Sequence, residues 1–352
     1  MSSEREPVPD DARKVELLLD AGRTAQARVL GARLLASDPD DPELLRLLAR
    51  VHLVDADPGG AIGFAHRAVA AEPDDAQGHG LASLAWGGVG HGTNALASAR
   101  EATRIAPDAW WTWVQLSAVA TGDPQARRDA VPAAERAVRL APSEAAAHRA
   151  LGDALSRRPR ASARDRRAAK AAYAAALRLD PASSHTLNNL ALVALDSGDL
   201  LAAATGFADA ARADPGDGVA AANVDVVVDR LLLRLLVVLS AVVPVVGLAS
   251  LAAPGTVLAA LGIPLLAVVL PFSLVRLRRL PPGVRARARH RVLTEPGPRL
   301  LASASAVALT ALVLLMLAEL TSVPRPAFVA AYVLTPPVMA AVLRRYVRIV
   351  TG

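Results

Sequence analysis

The sequence contains no cysteine, and this absence removes several classes of chemistry at once. Disulfide bonds, iron–sulfur clusters and cysteine nucleophiles are excluded, because each of them needs a thiol. Aromatic residues are also scarce, at 3% of the chain, and only two of the 39 basic residues are lysines. The preference for arginine, together with the heavy use of alanine, is typical of a bacterial genome rich in G and C. Residues 1–10 contain no apolar core, so they are not a secretory signal peptide, and we expect them to be disordered.

Motifs that would carry catalysis are lacking as well. The seven histidines show no metal-binding spacing such as H-E-x-x-H, and neither a G-x-S-x-G nucleophile motif nor a dinucleotide fingerprint after a strand occurs. A glycine-rich stretch at 87–93 has no lysine after its last glycine, so a turn between helices is favoured over a phosphate-binding loop. We therefore expect no enzymatic activity, no cofactor and no metal.

The charge of the chain is divided unevenly along its length. Up to residue 230 there are 26 basic and 31 acidic residues, whereas the remainder contains 13 arginines and two acids, which together give the formal net charge of +6. A nucleic-acid-binding protein would carry its arginines on a folded surface, but here they flank apolar runs. The composition instead indicates a mildly acidic part followed by an apolar, arginine-flanked part.

A regular period organises the acidic part. Prolines that close alanine-rich helical runs recur at steps of 34, 34, 35, 39 and 34 residues, at Pro39, Pro73, Pro107, Pro142, Pro181 and Pro215. The stretch 184–215 is one complete copy, with two helical patterns separated by Gly198 and Asp199. A step of 39 residues marks a basic insertion at 156–167, predicted as a longer loop inside the fifth copy. A solvated surface, a contact with an anionic membrane leaflet and a contact with an acidic partner all remain open for this loop.

This period resembles the tetratricopeptide repeat, a helix–turn–helix unit of about 34 residues. The small residue near the middle of that repeat corresponds to Ala27, Ala61, Ala95, Ala130, Ala169 and Ala203. Its second small position corresponds to Leu34, Ala68, Ala102, Ala137, Ala176 and Ala210, of which only Leu34 departs from the pattern. The resemblance implies an all-α fold, with about six repeats forming a helical-hairpin solenoid over residues 11–217 and a linking helix at 218–234.

Residues 235–352 are predicted to form a membrane domain. Four runs without a charged residue, at about 235–253, 256–275, 300–318 and 327–343, approach the length that crosses a bilayer core of about 30 Å. The strongly basic segments between and beside these runs all fall on one side if four helices cross, and arginine-rich segments face the cytoplasm. We therefore expect a multi-pass protein of the cell (inner) membrane, with the repeats and both termini in the cytoplasm.

The resemblance also implies a binding surface, because stacked repeats line a concave groove with their first helices. By the pattern of the family, a protein or peptide partner would contact eight residues: Arg46, Arg50, Trp111, Gln115, Arg149, Asp153, Asn188 and Asn189. The leading interpretation is a membrane-anchored interaction scaffold. Two alternatives remain open, a regulatory subunit of a transporter or channel and an accessory protein of a membrane enzyme in envelope assembly. The lack of ionisable residues inside the four runs argues against the first alternative.

Overall fold

The computed structural model of the chain describes residues 10–158, 161–216, 218–252, 278–303, 305, 341 and 345. Every regular element among these residues is a helix, as the sequence predicts. The contacts divide the chain into two compact units, Met1–Pro181 and Ala182–Gly352.

The described part of the first unit contains ten helices that pair as five successive hairpins. They are α1 (Asp10–Asp20), α2 (Thr24–Ser37), α3 (Pro42–Val54), α4 (Pro58–Ala71), α5 (Ala76–Gly88), α6 (Gly92–Ile105), α7 (Trp110–Gly122), α8 (Arg127–Leu140), α9 (Ala145–Ser156) and α10 (Ala163–Leu179). Odd-numbered helices are the first helices of the repeats. Aspartates cap the N-termini of α3, α4 and α5, and the Asp75 carboxylate, for example, accepts hydrogen bonds from the backbone N–H groups of Gln77 and Gly78.

Small residues at the two predicted positions of each repeat are buried where its helices pack. All six alanines predicted at the first small position have no exposed surface. At the second small position the five alanines are also buried, and Leu34 alone remains partly exposed. A methyl group in these places lets two helices pack at short range, so the predicted repeat pattern is confirmed.

The insertion in the fifth repeat lengthens the loop between its helices, as the sequence predicted, but only in part. Six residues, 157–162, separate the two helices, whereas three residues separate α3 from α4. Helix α9 ends at Ser156, but α10 already begins at Ala163, so residues 163–167 are helical. The reason is a capping box: the Ser162 hydroxyl accepts a hydrogen bond from the backbone N–H of Asp165, whose carboxylate accepts one from the backbone N–H of Ser162. Part of the insertion therefore lengthens α10 to 17 residues.

The second unit contains the last repeat, two further helices with defined bounds and a helical stretch at 296–303. The elements with defined bounds are α11 (Ser184–Asp196), α12 (Leu200–Ala213), α13 (Gly218–Ala252) and α14 (Pro282–Thr294). Phe207, Val227 and Val284, from α12, α13 and α14, are fully buried in one apolar core. The segment 218–234 was predicted as a linking helix, and the structure shows that it is the packed first half of α13.

Most residues of the four predicted membrane runs lie outside the described residues. The run 256–275 lies outside the described residues, as do most of 300–318 and 327–343. Of 235–253, the backbone is helical to Ala252, but its side chains lie outside the described residues except for Val237. Within the described part of the chain, no helix combines the length and the apolar character needed to cross a bilayer.

Three turns between the helices of a repeat contain a glycine with positive φ, at Gly22, Gly90 and Gly198. Gly90 lies in the stretch 87–93, between the end of α5 and the start of α6, which confirms the predicted turn. Ala56 occupies the same place in the second repeat, 34 residues after Gly22, and has φ of 55°. A side chain is unfavourable in this left-handed region, so the second repeat contains a strained turn.

We predict that Ala56→Gly raises the free energy of unfolding by about 0.5–1 kcal/mol, because glycine removes this strain. Gly90→Ala is the matched reverse change and should lower it by about 1 kcal/mol, since a methyl group there meets no other atom and only the backbone is affected. Urea unfolding followed by circular dichroism measures both. Destabilisation by Ala56→Gly would contradict the assignment of the turn.

Candidate functional site

A concave cavity of about 520 Å³ opens in the first unit, along the first helices of four consecutive repeats. Its lining residues come from α1 (Glu16), α3 (Glu43, Arg46, Leu47, Arg50), α5 (Gln77, Gly80, Leu81, Leu84) and α7 (Trp111, Gln115). None of these residues belongs to a second helix. The repeat geometry alone thus brings side chains together that are up to about 100 positions apart in the chain.

Four of the eight residues predicted for the groove line this cavity: Arg46, Arg50, Trp111 and Gln115. The rest of the lining combines apolar side chains with two carboxylates. Leu84 is the most accessible apolar member, with 53% of its surface exposed. The cavity therefore offers an apolar surface bordered by groups of both charges.

The floor of the cavity depends on Gly80. A Cβ atom at this position would lie 3.0 Å from the Trp111 ring and 3.1 Å from the Gln115 side-chain oxygen. Because this atom is missing, α7 can approach α5, and Gln115 Nε2 donates a hydrogen bond to the Gly80 carbonyl oxygen at 2.5 Å. Gln115 is consequently a buried structural bridge, whereas the indole of Trp111 remains half-buried at the surface of the cavity.

The two predicted arginines differ in how firmly the protein holds them. Arg46 Nη1 donates to the Asp75 carboxylate at 2.9 Å and also pairs with Glu72, and only 19% of its side chain is exposed. Arg50 pairs with Glu16 at 3.3 Å, and both side chains are more than two-fifths exposed. Exposed pairs of this kind contribute little stability. A ligand could therefore replace Glu16 as the partner of Arg50 with little loss of stability, whereas the ion pairs of Arg46 join α3 to α5.

Glu43 gives the cavity a carboxyl group with altered acidity. Burial raises the pKa of this carboxyl above its usual range, and the negative charge of Asp41 raises it further. Arg46 acts in the opposite direction without cancelling the shift. The Glu43 side chain therefore loses its proton less readily than an exposed glutamate.

Arg149 and Asp153 lie on α9, outside the lining of this cavity. The Asp153 carboxylate accepts a hydrogen bond of 2.6 Å from the hydroxyl of Tyr173 on α10. Burial, followed by the charge of Asp153, raises the pKa of Tyr173 far above its usual value. Asp153 is therefore engaged inside its own repeat, in addition to any role at a surface.

Asn188 and Asn189 belong to the second unit, where each is about 6% exposed. Asn188 Oδ1 accepts a hydrogen bond of 2.8 Å from Asn223 Nδ2 on α13. The sequence pattern predicted Asn188 as a ligand-binding residue, and the structure shows its side chain buried and bonded to a helix of its own chain. The repeat pattern alone could not reveal this, because α13 lies beyond the last copy.

A recurring hydrogen bond between side chain and backbone was not recognised from the sequence. The carbonyl oxygens of Pro73, Pro107 and Pro142 each accept a bond of 2.8–2.9 Å from a ring nitrogen six residues later. The donors are His79 Nε2, Trp113 Nε1 and His148 Nε2. A carbonyl oxygen can only accept, so both histidines carry their proton on Nε2. The spacing from the repeat-closing prolines was a visible signal for this role.

Two segments of the chain match family models described as the tetratricopeptide repeat, residues 18–85 and 160–218. The chain therefore contains tetratricopeptide repeats, and its all-α hairpins form a solenoid of that type. Repeats of this fold are generally non-catalytic scaffolds for protein interactions. Within the part of the chain that the structure describes, no group of three His, Asp or Glu side chains is arranged to hold a metal ion.

Among the solved structures that resemble the chain, one with a TM-score above 0.5 supports the fold. A chain of the APC/C hetero-tetramer Cut9–Hcn1 is 16% identical with a TM-score of 0.53, and the match covers 61% of this chain and 42% of that one. PilF of Pseudomonas aeruginosa is 19% identical with a TM-score of 0.46, over 58% of this chain and 91% of its own. YrrB, described as a tetratricopeptide-repeat protein with an unusual peptide-binding site, is 16% identical with a TM-score of 0.38, over 54% and 95%. No curated protein matches the sequence significantly.

We predict that Tyr173→Phe lowers the free energy of unfolding by about 1–2 kcal/mol at neutral pH, because it removes the buried hydrogen bond to Asp153. The pKa of Tyr173 is raised in the folded state, so its contribution is complete below its unfolded value of about 10 and is lost as the pH rises above that value. The difference in free energy of unfolding between the unaltered protein and Tyr173→Phe should therefore become smaller above about pH 10.

Urea titrations of both proteins from pH 7 to 11 measure this difference in free energy of unfolding. Comparing the two proteins at the same pH removes any destabilisation by alkali that they share. A difference that widens with pH would show that Tyr173 is not held in its protonated form.

Proposed function

We propose that the protein is a membrane-anchored interaction scaffold, in which the cavity of the first unit binds a segment of a partner protein. Predicted membrane helices at 235–253, 256–275, 300–318 and 327–343 hold it in the cell (inner) membrane. The repeats and both termini face the cytoplasm. Tetratricopeptide repeats supply the general role, and neither a catalytic step nor a cofactor is part of the proposal.

The observation that carries the proposal is the composition of the cavity. Binding sites for small segments are usually concave and mainly apolar, with a few polar groups that fix orientation. Trp111, Leu81 and Leu84 form such an apolar surface, and Arg50 lies beside it in an exposed, exchangeable ion pair. Tryptophan and arginine are also the residues that most often dominate binding energy at interfaces.

The chemistry of the ligand follows from these groups. An apolar side chain of a partner segment would pack between Trp111 and Leu84, and an acidic group would replace Glu16 as the partner of Arg50. The exchange costs little, because the Arg50–Glu16 pair is exposed and long, at 3.3 Å. We therefore propose a short segment that presents an apolar residue next to an acidic one.

Anchoring is supported by the four uncharged runs and by the course of α13. The helix leaves the packed end of the repeats and continues without interruption to Ala252, into the first of these runs. Orientation is supported by α14, which lies between the second and third runs and packs against α12 and α13. If the runs cross a membrane, this packing favours one side for the arginine-rich connection and the last repeat, in agreement with the cytoplasmic location that the arginines predict.

Selection of peptides on the full-length protein tests the groove, with a phage-displayed random library as the probe. We predict that Leu84→Glu weakens the selected peptides about tenfold or more, because it puts a charge in the apolar centre of the cavity. Trp111→Ala should act in the same direction.

Leu179→Glu is the matched control, since Leu179 is similarly exposed but lies on α10, a second helix. Its affinities should equal those of the unaltered protein. Equal binding by the unaltered protein, Leu84→Glu and Trp111→Ala would refute the groove assignment, and circular dichroism confirms that each variant is folded.

A further inference from the structure

Helix α14 has two faces of different character, and only one of them is used inside the second unit. Val284, Arg287 and Arg291 follow one another at intervals of three and four, so they share one face of the helix. Val284 is 1% exposed and belongs to the apolar core with α12 and α13. This face attaches α14 to the end of the repeats.

Two aspartates of α13 neutralise the arginines of the attached face. Arg287 Nη2 donates to Asp225 Oδ2 at 2.8 Å, and Arg291 Nη1 donates to Asp229 Oδ1 at 3.0 Å. Arg291 also pairs with Glu295 at 2.7 Å, and only 12% of its side chain is exposed. The charge of this face is therefore satisfied within the protein.

The other face of α14 presents Arg285, Arg289 and Leu293 at intervals of four, and all three are exposed. Leu293 has 61% of its surface exposed. Among the carboxylates that the structure describes, none lies within ion-pair distance of Arg285 or Arg289. This face thus combines uncompensated positive charge with an accessible apolar side chain.

The place of α14 in the chain restricts what this face can meet. Pro282 follows the predicted run 256–275 by seven residues, and Thr294 precedes the run that begins at Leu300 by six. If these runs cross a bilayer, both ends of α14 are tied close to its surface. Arginines attract the phosphates of an anionic leaflet, and a leucine beside them can enter the boundary between headgroups and acyl chains.

We propose that the exposed face of α14, formed by Arg285, Arg289 and Leu293, binds the headgroups of anionic phospholipids at the inner leaflet. The inference rests on the proposed membrane anchoring. It gives α14 a second function, because its two faces then connect the end of the repeats to the lipid surface. A nucleic acid or an acidic protein fits less well, since neither calls for an exposed leucine beside the arginines.

The test uses the full-length protein in vesicles of phosphatidylcholine, with or without 30% phosphatidylglycerol. The chain has no natural cysteine, so Ala286→Cys, an exposed position of α14, takes a single fluorescent dye. Quenching of the dye by lipids that carry a headgroup quencher reports contact between α14 and the surface. Carbonate extraction of the same vesicles reports separately whether the protein is integrated.

We expect quenching that depends on phosphatidylglycerol, and a ratio of bound to free helix that falls about tenfold or more in Arg285→Gln/Arg289→Gln. The control variant Arg139→Gln/Arg178→Gln removes two exposed arginines of the first unit and the same net charge. It should leave the quenching unchanged.

The inference is overturned, and the anchoring is not, if the protein is integrated but its quenching is the same with and without phosphatidylglycerol. The same conclusion follows if both double variants change the quenching equally. Extraction of the protein by carbonate overturns the anchoring and the inference together. If polyuridylate at equal phosphate concentration displaces the dye-labelled helix from the vesicles, the face serves nucleic acid and the lipid assignment is wrong.

Discussion

The close approach of two helices over an alanine is the contact on which the rest of the structure depends. Ala61, Ala95 and Ala130 have no exposed surface, and a larger side chain in any of these places would separate the helices of its repeat. Because the two helices of each repeat pack in the same way, the first helices of the first unit follow one another at a regular interval. Their side chains on the concave side then meet in one cavity.

Local signals predicted the repeats well, because they depend on residues within one period. The prolines, the turn glycines and the buried alanines all lie at fixed distances along the chain, and each was visible before the structure. The insertion was less clear, since the capping box of Ser162 and Asp165 required the hydrogen bonds to be seen. Ala56 was missed, although its place one period after Gly22 indicated a turn that glycine would suit better.

The candidate site was only partly predictable, for a physical reason. A periodic pattern indicates which face a residue occupies, but not which partner from another element already holds it. Arg46 lies on the predicted face and yet joins two helices through Asp75, and Asn188 is hydrogen-bonded to Asn223 of a helix beyond the repeats. The pairing of Asp225 with Arg287, 62 positions later, is likewise invisible to any local pattern. Such long-range pairs decide which charges remain available for a partner.

The central claim is that the repeats and α14 face the same side of a membrane that the chain crosses four times. Single cysteines test it directly in intact bacterial cells with a maleimide that does not cross membranes. Gly255→Cys and Ser322→Cys, between the predicted runs, should react from outside. Asp38→Cys and His290→Cys should react only after the membrane is opened. Reaction of the last two from opposite sides, or reaction of all four only after lysis, would contradict the account.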